Sequence, residues 1–321
     1  MFDNNIIVAV DPGKYLTKAI TDNDRCYFRT KYTKIDTFED VLLQGKSYKV
    51  EFEGKKMIIG EQGNRTSYEV SKKSMIHKVA TYTAIVEMLK YDLEYSNINA
   101  MISCPISIYK DEDQRKAYKE YMLNNNEVKI NINENDYLIN LKNVMVLPES
   151  SGVIIKHASL FNNNMVALVD IGGLNMNFSI YDNMVFQMGE KNSFTRNLGN
   201  NELETYAINA LNSKLAININ NEEGKYIIKN GGIKHQGEIT EKSKEIVDEV
   251  KDNFVERIDN EIKKNNFDLQ KMNVVFTGGT SLNIQKELQK KYTHSTVLED
   301  GQWAHVEGAY KLGREVINGE E

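Results

Sequence analysis

The same short pattern occurs twice in this chain, about half its length apart, and it limits the fold more than any other feature. In the first copy an apolar run, Ile6-Ile7-Val8-Ala9-Val10, enters the turn Asp11-Pro12-Gly13-Lys14 and leaves through a second extended stretch over 15–21. In the second, Met165-Val166-Ala167-Leu168-Val169 enters Asp170-Ile171-Gly172-Gly173 and leaves over 175–182. Short apolar runs bounded by Gly, Pro or Asp read as buried strands. Aligning the copies sets Asp11 on Asp170 and Gly13 on Gly172. Such self-similarity predicts two related halves, and 321 residues suit two domains at the usual size of about 150 each.

The rest of the pattern alternates between strands and helices. Residues 46–60 alternate like a hairpin, and 99–103, 144–147 and 272–276 read as buried strands. Helical periodicity covers 74–91, 111–123, 201–215, 241–264 and 303–317, and helices are also expected over 149–157 and 282–290. Strands mixed with helices in this order predict an α/β class with helices packed on sheets. No Pro- or Ser-rich linker separates the halves.

Composition narrows the function. A net charge of −6 without a dense Lys/Arg cluster argues against direct nucleic-acid contact. The short lysine pairs, Lys72-Lys73 among them, read as solvated faces. Two cysteines, Cys26 and Cys104, lie in apolar surroundings and read as buried free thiols of a reducing compartment. Five histidines show no metal-ligand spacing. The longest apolar runs are too short to span a bilayer, and a strand follows the N-terminus too closely for a signal peptide. These features predict a soluble, cytoplasmic chain with no membrane partner.

A tight Asp-x-Gly turn between two strands can aim several backbone N–H groups at one point, and Gly permits close approach of a phosphate. One such turn is common as plain structure. Two in duplicated frames predict loops that clasp phosphates from both sides, with Asp11 and Asp170 converging on a divalent cation, held through water as Mg prefers. A third element, Val274-Val275-Phe276-Thr277-Gly278-Gly279-Thr280-Ser281, feeds a strand into a Gly-Gly turn that can lie flat against a base or ribose.

In chain order, five segments resemble the phosphate 1, connect 1, phosphate 2, adenosine and connect 2 motifs of the actin-like ATPases, within the actin/Hsp70/sugar-kinase superfamily. They are the first loop with Lys18, Leu147-Pro148-Glu149-Ser150-Ser151, the second loop, Phe276-Thr277-Gly278-Gly279 and Glu307-Gly308-Ala309-Tyr310. The chain is most similar to the ParM-type bacterial actins that segregate plasmids. The resemblance implies two duplicated RNase H-like domains with the nucleotide in the cleft between them. Domain I would be 1–160, with a small subdomain near 31–74 and the C-terminal helix 303–319. Domain II would be 161–302, with a small subdomain near 213–270.

The resemblance also implies roles. Asp11, Gly13, Lys14 and Lys18 would form the first phosphate loop, and Gly172, Gly173 and Asn175 the second. Gly278 and Gly279 would lie against the adenosine, and Glu202, after Gly199-Asn200-Asn201, near the ribose. Asp11 and Asp170 would order Mg and its waters, and Glu149 would position the attacking water. The cofactors would be Mg and ATP, with GTP as an alternative. The activity would be ATP hydrolysis coupled to assembly of a helical filament of this chain, and a ParR-type adaptor would carry the DNA contact. The second loop departs from the usual Gly-Gly-Thr-Thr followed by Asp. Leu174 has no side-chain donor, so phosphate contacts there fall to the backbone or Asn175. Pro12 removes one N–H from the first loop.

Two other readings share the superfamily. A sugar kinase or phosphatase-type enzyme would not polymerise, but the Cys-rich zinc motif common in such kinases is absent. A chromosomal actin-like cytoskeletal protein commonly reaches the membrane through an amphipathic helix, and the acidic tail over 314–321 makes a poor anchor.

Overall fold

The computed structural model describes residues 4–319 apart from 23, 68, 70, 91, 94 and 95. These divide into two compact units. One comprises the residues up to His157 together with those from Trp303 on, and the other is Ala158–Gln302.

The first unit opens with β1 (Asn4–Pro12), β2 (Leu16–Ile20), β3 (Arg25–Arg29), β4 (Lys31–Lys34), β5 (Ser47–Phe52), β6 (Lys55–Gly60) and β7 (Arg65–Thr66). Then come α1 (Met75–Leu89), β8 (Ser96–Cys104), α2 (Ile106–Lys110), α3 (Glu112–Leu123), β9 (Glu127–Ile132), β10 (Asn135–Pro148) and α4 (Gly152–Lys156). The strands form one sheet in the order β3-β2-β1-β8-β10-β9-β5-β6-β4-β7. β10 makes this possible. Its first half pairs antiparallel with β9, its register shifts between Leu141 and Asn143, and its second half runs parallel to β8. A local irregularity of this kind re-aims a strand so that it serves two neighbours. Sequence reasoning finds only the second half, because the first is largely exposed and lacks an apolar run.

β1 and β8 are covered on both faces. Val8, Val10, Ala100 and Ile102 pack into the core that holds α1, whereas Ile7, Ala9 and Met101 pack with Val306 and Ala309 of the C-terminal helix (Ala304–Asn318). Strands buried on both faces read as continuous apolar runs, which is why 6–10 is legible. α1 is itself enclosed, with Val79, Tyr82, Ile85, Val86 and Leu89 all buried.

The second unit begins with α5 (Ala158–Phe161), β11 (Met165–Ile171), β12 (Met176–Asp182), β13 (Val185–Phe186), β14 (Ser193–Arg196), α6 (Asn200–Leu215) and α7 (Asn221–Asn230). It continues through β15 (Lys234–His235), β16 (Glu238–Ile239), α8 (Glu241–Lys264), β17 (Asn273–Thr277), α9 (Gly279–Asn283), α10 (Gln285–Lys291) and β18 (Thr296–Val297). Its main sheet runs β13-β12-β11-β17-β18, with β14 also on β12. α8 buries Ile246, Val247, Val250, Phe254, Val255, Ile258 and Ile262, the stripe expected of a helix with one face on a core. The single helix expected over 282–290 is two short ones that meet at Ile284.

The two units repeat one plan. Each has an antiparallel hairpin followed by two parallel strands, β2-β1-β8-β10 and β12-β11-β17-β18. Asp11 faces Lys18 across the first hairpin, and Asp170 faces Asn177 across the second. Beyond the last paired positions, Pro12–Thr17 and Ile171–Met176, each hairpin has the same number of residues at its turn.

Candidate functional site

The candidate residues divide between the units. In the first, Asp11, Gly13, Lys14, Lys18 and Glu149 gather where β1, β8 and β10 end and β2 begins. Parallel strands β1, β8 and β10 bring their C-terminal ends to one edge, where ligands of open α/β sheets usually bind. Asp11 accepts a hydrogen bond from Ser103 at the end of β8, 2.6 Å between Oγ and Oδ1. Lys18 Nζ lies 3.4 Å from the other carboxylate oxygen. Glu149 follows β10 directly, and its N–H donates to Cys104 O at 2.9 Å. Glu149 is in a turn ahead of α4 rather than in the first turn of a helix.

Two further groups enter this cluster that sequence reasoning misses. Lys72, expected on a solvated face, has a side chain only 3% exposed. Its Nζ sits 2.7 Å from Glu149 Oε1 and 4.0 Å from Asp11 Oδ1. The neighbouring Lys73 is exposed, as expected. His305, from the C-terminal helix, is buried and accepts the Gly152 N–H on Nδ1 at 3.1 Å, which places its neutral-form proton on Nε2.

The charges explain one another. Burial alone would raise the Asp11 carboxyl, but Lys18 and Lys72 outweigh it, helped by His305 and the Ser103 hydroxyl, and hold it well below the usual range. Burial likewise works against the Lys72 ammonium, yet Glu149 and Asp11 keep it charged and raise it above an ordinary lysine. Lys14 is lowered, first by burial and then by Lys72. Cys26 and Cys104 are free thiols, and burial pushes each up to about 12.

His77 is completely buried on α1, with Nδ1 2.8 Å from Ser74 Oγ. Burial, with Lys72 and Lys14 nearby, lowers it to about 3. An unfolded histidine takes a proton near pH 6.5, so between these values unfolding takes up a proton and stability falls as pH falls. The slope is about 1.4 kcal/mol per pH unit for each such group. His77→Leu is therefore expected to flatten the acid loss of stability between about pH 6 and 4 by close to one proton. Urea unfolding at several pH values checks this, and an unchanged slope would mean that His77 titrates normally in the fold.

In the second unit, Asp170, Gly172, Gly173, Asn175, Glu202, Gly278 and Gly279 belong to β11, the loop after it, α6 and the turn after β17. The loop is tied down by its carbonyls. Gly172 O accepts from Asn200 N at 3.1 Å and Thr280 Oγ1 at 2.7 Å, and Gly173 O accepts from Asn201 N at 2.9 Å. In a trans peptide the C=O and the following N–H point in opposite directions. Fixing these carbonyls on α6 and α9 thus turns the Gly173 and Leu174 amides the other way, leaving Leu174 a backbone donor despite its apolar side chain. Gly199 allows this contact, since a Cβ there would lie 2.5 Å from Leu174 C. Gly278 has φ +90°, and a Cβ on it would meet Asp170 Oδ1 and Ile171 O at 2.4 Å each. Its glycine is thus required by packing against Asp170. Glu202, in the first turn of α6, accepts from Tyr206 OH at 2.5 Å.

Comparison with known proteins agrees with this plan. Residues 9–152 match the model of the N-terminal domain of actin-like proteins. The Alp12 filament structure is 30% identical with a TM-score of 0.73, covering 97% of this chain and 98% of that one. A 15-stranded ParM filament from Clostridium botulinum is 18% identical at TM-score 0.73, with coverage of 97% and 99%. Ta0583, an archaeal actin homologue in complex with ADP, is 16% identical at TM-score 0.75, also with coverage of 97% and 99%. No curated protein matches the sequence. The fold is that of actin. The chain belongs to the actin-like protein family. Among the described residues no helix is long and apolar enough to cross a membrane.

Proposed function

We propose that the chain is a cytoplasmic actin-like ATPase that binds Mg-ATP through its two phosphate loops, assembles into filaments and segregates plasmid DNA through a ParR-type adaptor. The observation that carries the reading is the partly buried cluster of Asp11, Lys18 and Glu149 at one sheet edge, in a chain related to a filament-forming Alp protein. Phosphoryl transfer asks for positioning and charge stabilisation more than for covalent chemistry, and these groups supply both. Lys14 and Lys18 would contact phosphate oxygens, as would the Gly173 and Leu174 amides. Gly279, where a Cβ would meet nothing within 4 Å, leaves room beside the turn for the adenosine. Asn175 and Glu202 would complete the phosphate and ribose contacts.

The metal reading suits the donors present. Asp11 is held ionised, and it and Asp170 offer the oxygen ligands that Mg prefers, through its retained waters. When bound, Mg would neutralise phosphate charge. Glu149 would orient the attacking water, and the negative net charge suits an indirect contact with DNA.

Right-angle light scattering and phosphate release after adding Mg-ATP test the reading together. The expected result is a rapid rise in scattering that decays as nucleotide is consumed. A flat scattering trace with phosphate still released would move the protein to a non-polymerising kinase or hydrolase. Neither signal over a wide concentration range would sink the ATPase reading altogether.

A further inference from the structure

Lys72 reaches the cluster from the segment before α1, a part of the chain remote in sequence from both carboxylates it meets. Its backbone sits in the left-handed region, φ 53°, where a non-glycine residue is uncommon and needs support from its surroundings. A lysine buried to this degree stays charged only when counter-charges replace its lost hydration. Glu149 at 2.7 Å and Asp11 at 4.0 Å are those counter-charges.

The consequence for Glu149 is geometric. Its backbone is held by the N–H bond to Cys104 O, and its carboxylate is fixed at the far end by the Lys72 ammonium. A glutamate has several rotatable bonds, and the ion pair with Lys72 selects among the orientations they allow. The charge matters as well. Asp11 and Glu149 are two anions next to the place where a nucleotide polyanion would come, and Lys72 offsets them from within. Among the described residues, Lys14, Lys18, His77, His305, Cys104 and Tyr118 also act on these three.

We propose that Lys72 is a positioning residue for phosphoryl transfer, clamping the Glu149 carboxylate in its working orientation beside Asp11; this rests on the ATPase reading given above. Lys72 touches neither water nor phosphate in this role and acts through Glu149.

A double-mutant cycle tests it. Phosphate release from Mg-ATP is measured for wild type, K72M, K72R, E149Q and K72M/E149Q, with mant-ADP affinity and thermal unfolding alongside. K72M is expected to lower kcat by about 100-fold, the cost of misplacing a positioned group by about 1 Å, while mant-ADP affinity changes less than about fivefold. K72R keeps the charge and is expected to recover part of the rate. In the E149Q background, K72M is expected to change kcat by less than about threefold, because residues acting as one unit are not additive. The double variant carries no Glu149 carboxylate left without Lys72, so the comparison of E149Q with K72M/E149Q still reads if K72M alone folds poorly. Additive rate losses, or rate and mant-ADP affinity falling together, would overturn the positioning role and leave the ATPase reading intact. A wild-type protein that releases no phosphate would overturn that reading, and this inference with it.

Discussion

Gly308→Ala is expected to lower the thermal midpoint by on the order of 10 °C, a large stability loss for so small a change. α4 and the C-terminal helix cross with their backbones in direct contact. A Cβ on Gly308 would lie 1.8 Å from Gly152 O, and one on Gly152 would lie 1.9 Å from His305 O. Both obstacles are main-chain atoms, so no side-chain rotation relieves them, and the helices must move apart. That movement breaks the Gly152 N–H bond to His305 and the ion pair between Lys156 and Glu307. It also opens the packing of Val306 and Ala309 on Ile7, Ala9, Met101 and Leu147. Alanine gains about 1 kcal/mol over glycine in helix propensity, but steric and packing losses of about 3–5 kcal/mol exceed it. A midpoint within about 2 °C of wild type would mean that the crossing is looser than this geometry.

Glu149→Gln is expected to reduce phosphate release by about 10²- to 10³-fold while the scattering rise on adding Mg-ATP persists and decays far more slowly. Glutamine keeps the size and the turn, including the backbone bond to Cys104, but cannot accept a proton and holds water less strongly than a carboxylate does. Lys72 loses its nearer counter-charge and keeps Asp11 at 4.0 Å, so some stability is lost as well. Far-UV circular dichroism separates that loss from the rate effect. Release within about threefold of wild type would remove Glu149 from the water-orienting role and leave the binding loops in place.

Much of the frame is legible in the sequence because its signals are local. Within the apolar runs, 7–10 and 166–169 are strand residues enclosed on both faces, and such strands announce themselves without neighbours. The Asp-x-Gly turns stand at the same register in both hairpins, so aligning Asp11 with Asp170 anticipates the facing pairs Asp11–Lys18 and Asp170–Asn177. The order of motifs along the chain points to the actin-like family, and the relatives bear that out.

The residues that sequence reasoning misses have no local signal. Lys72 and Lys73 are adjacent and chemically identical, yet one is buried and the other exposed. Their difference comes from Asp11 and Glu149, delivered by β1 and β10, since a buried ammonium is tolerated only where distant segments supply opposite charge. Gly278 reads as a flat surface for a ligand, but its immediate constraint is the Asp170 carboxylate behind it. The first half of β10 goes unread because it is largely exposed and lacks an apolar run. By itself the sequence determined the enclosed central strands, the duplicated loops and the family, through periodicity and spacing that act over a few residues. Only the tertiary structure decided which lysine is buried, which glycines let helices cross and how Glu149 is held, because those depend on contacts between segments far apart in the chain.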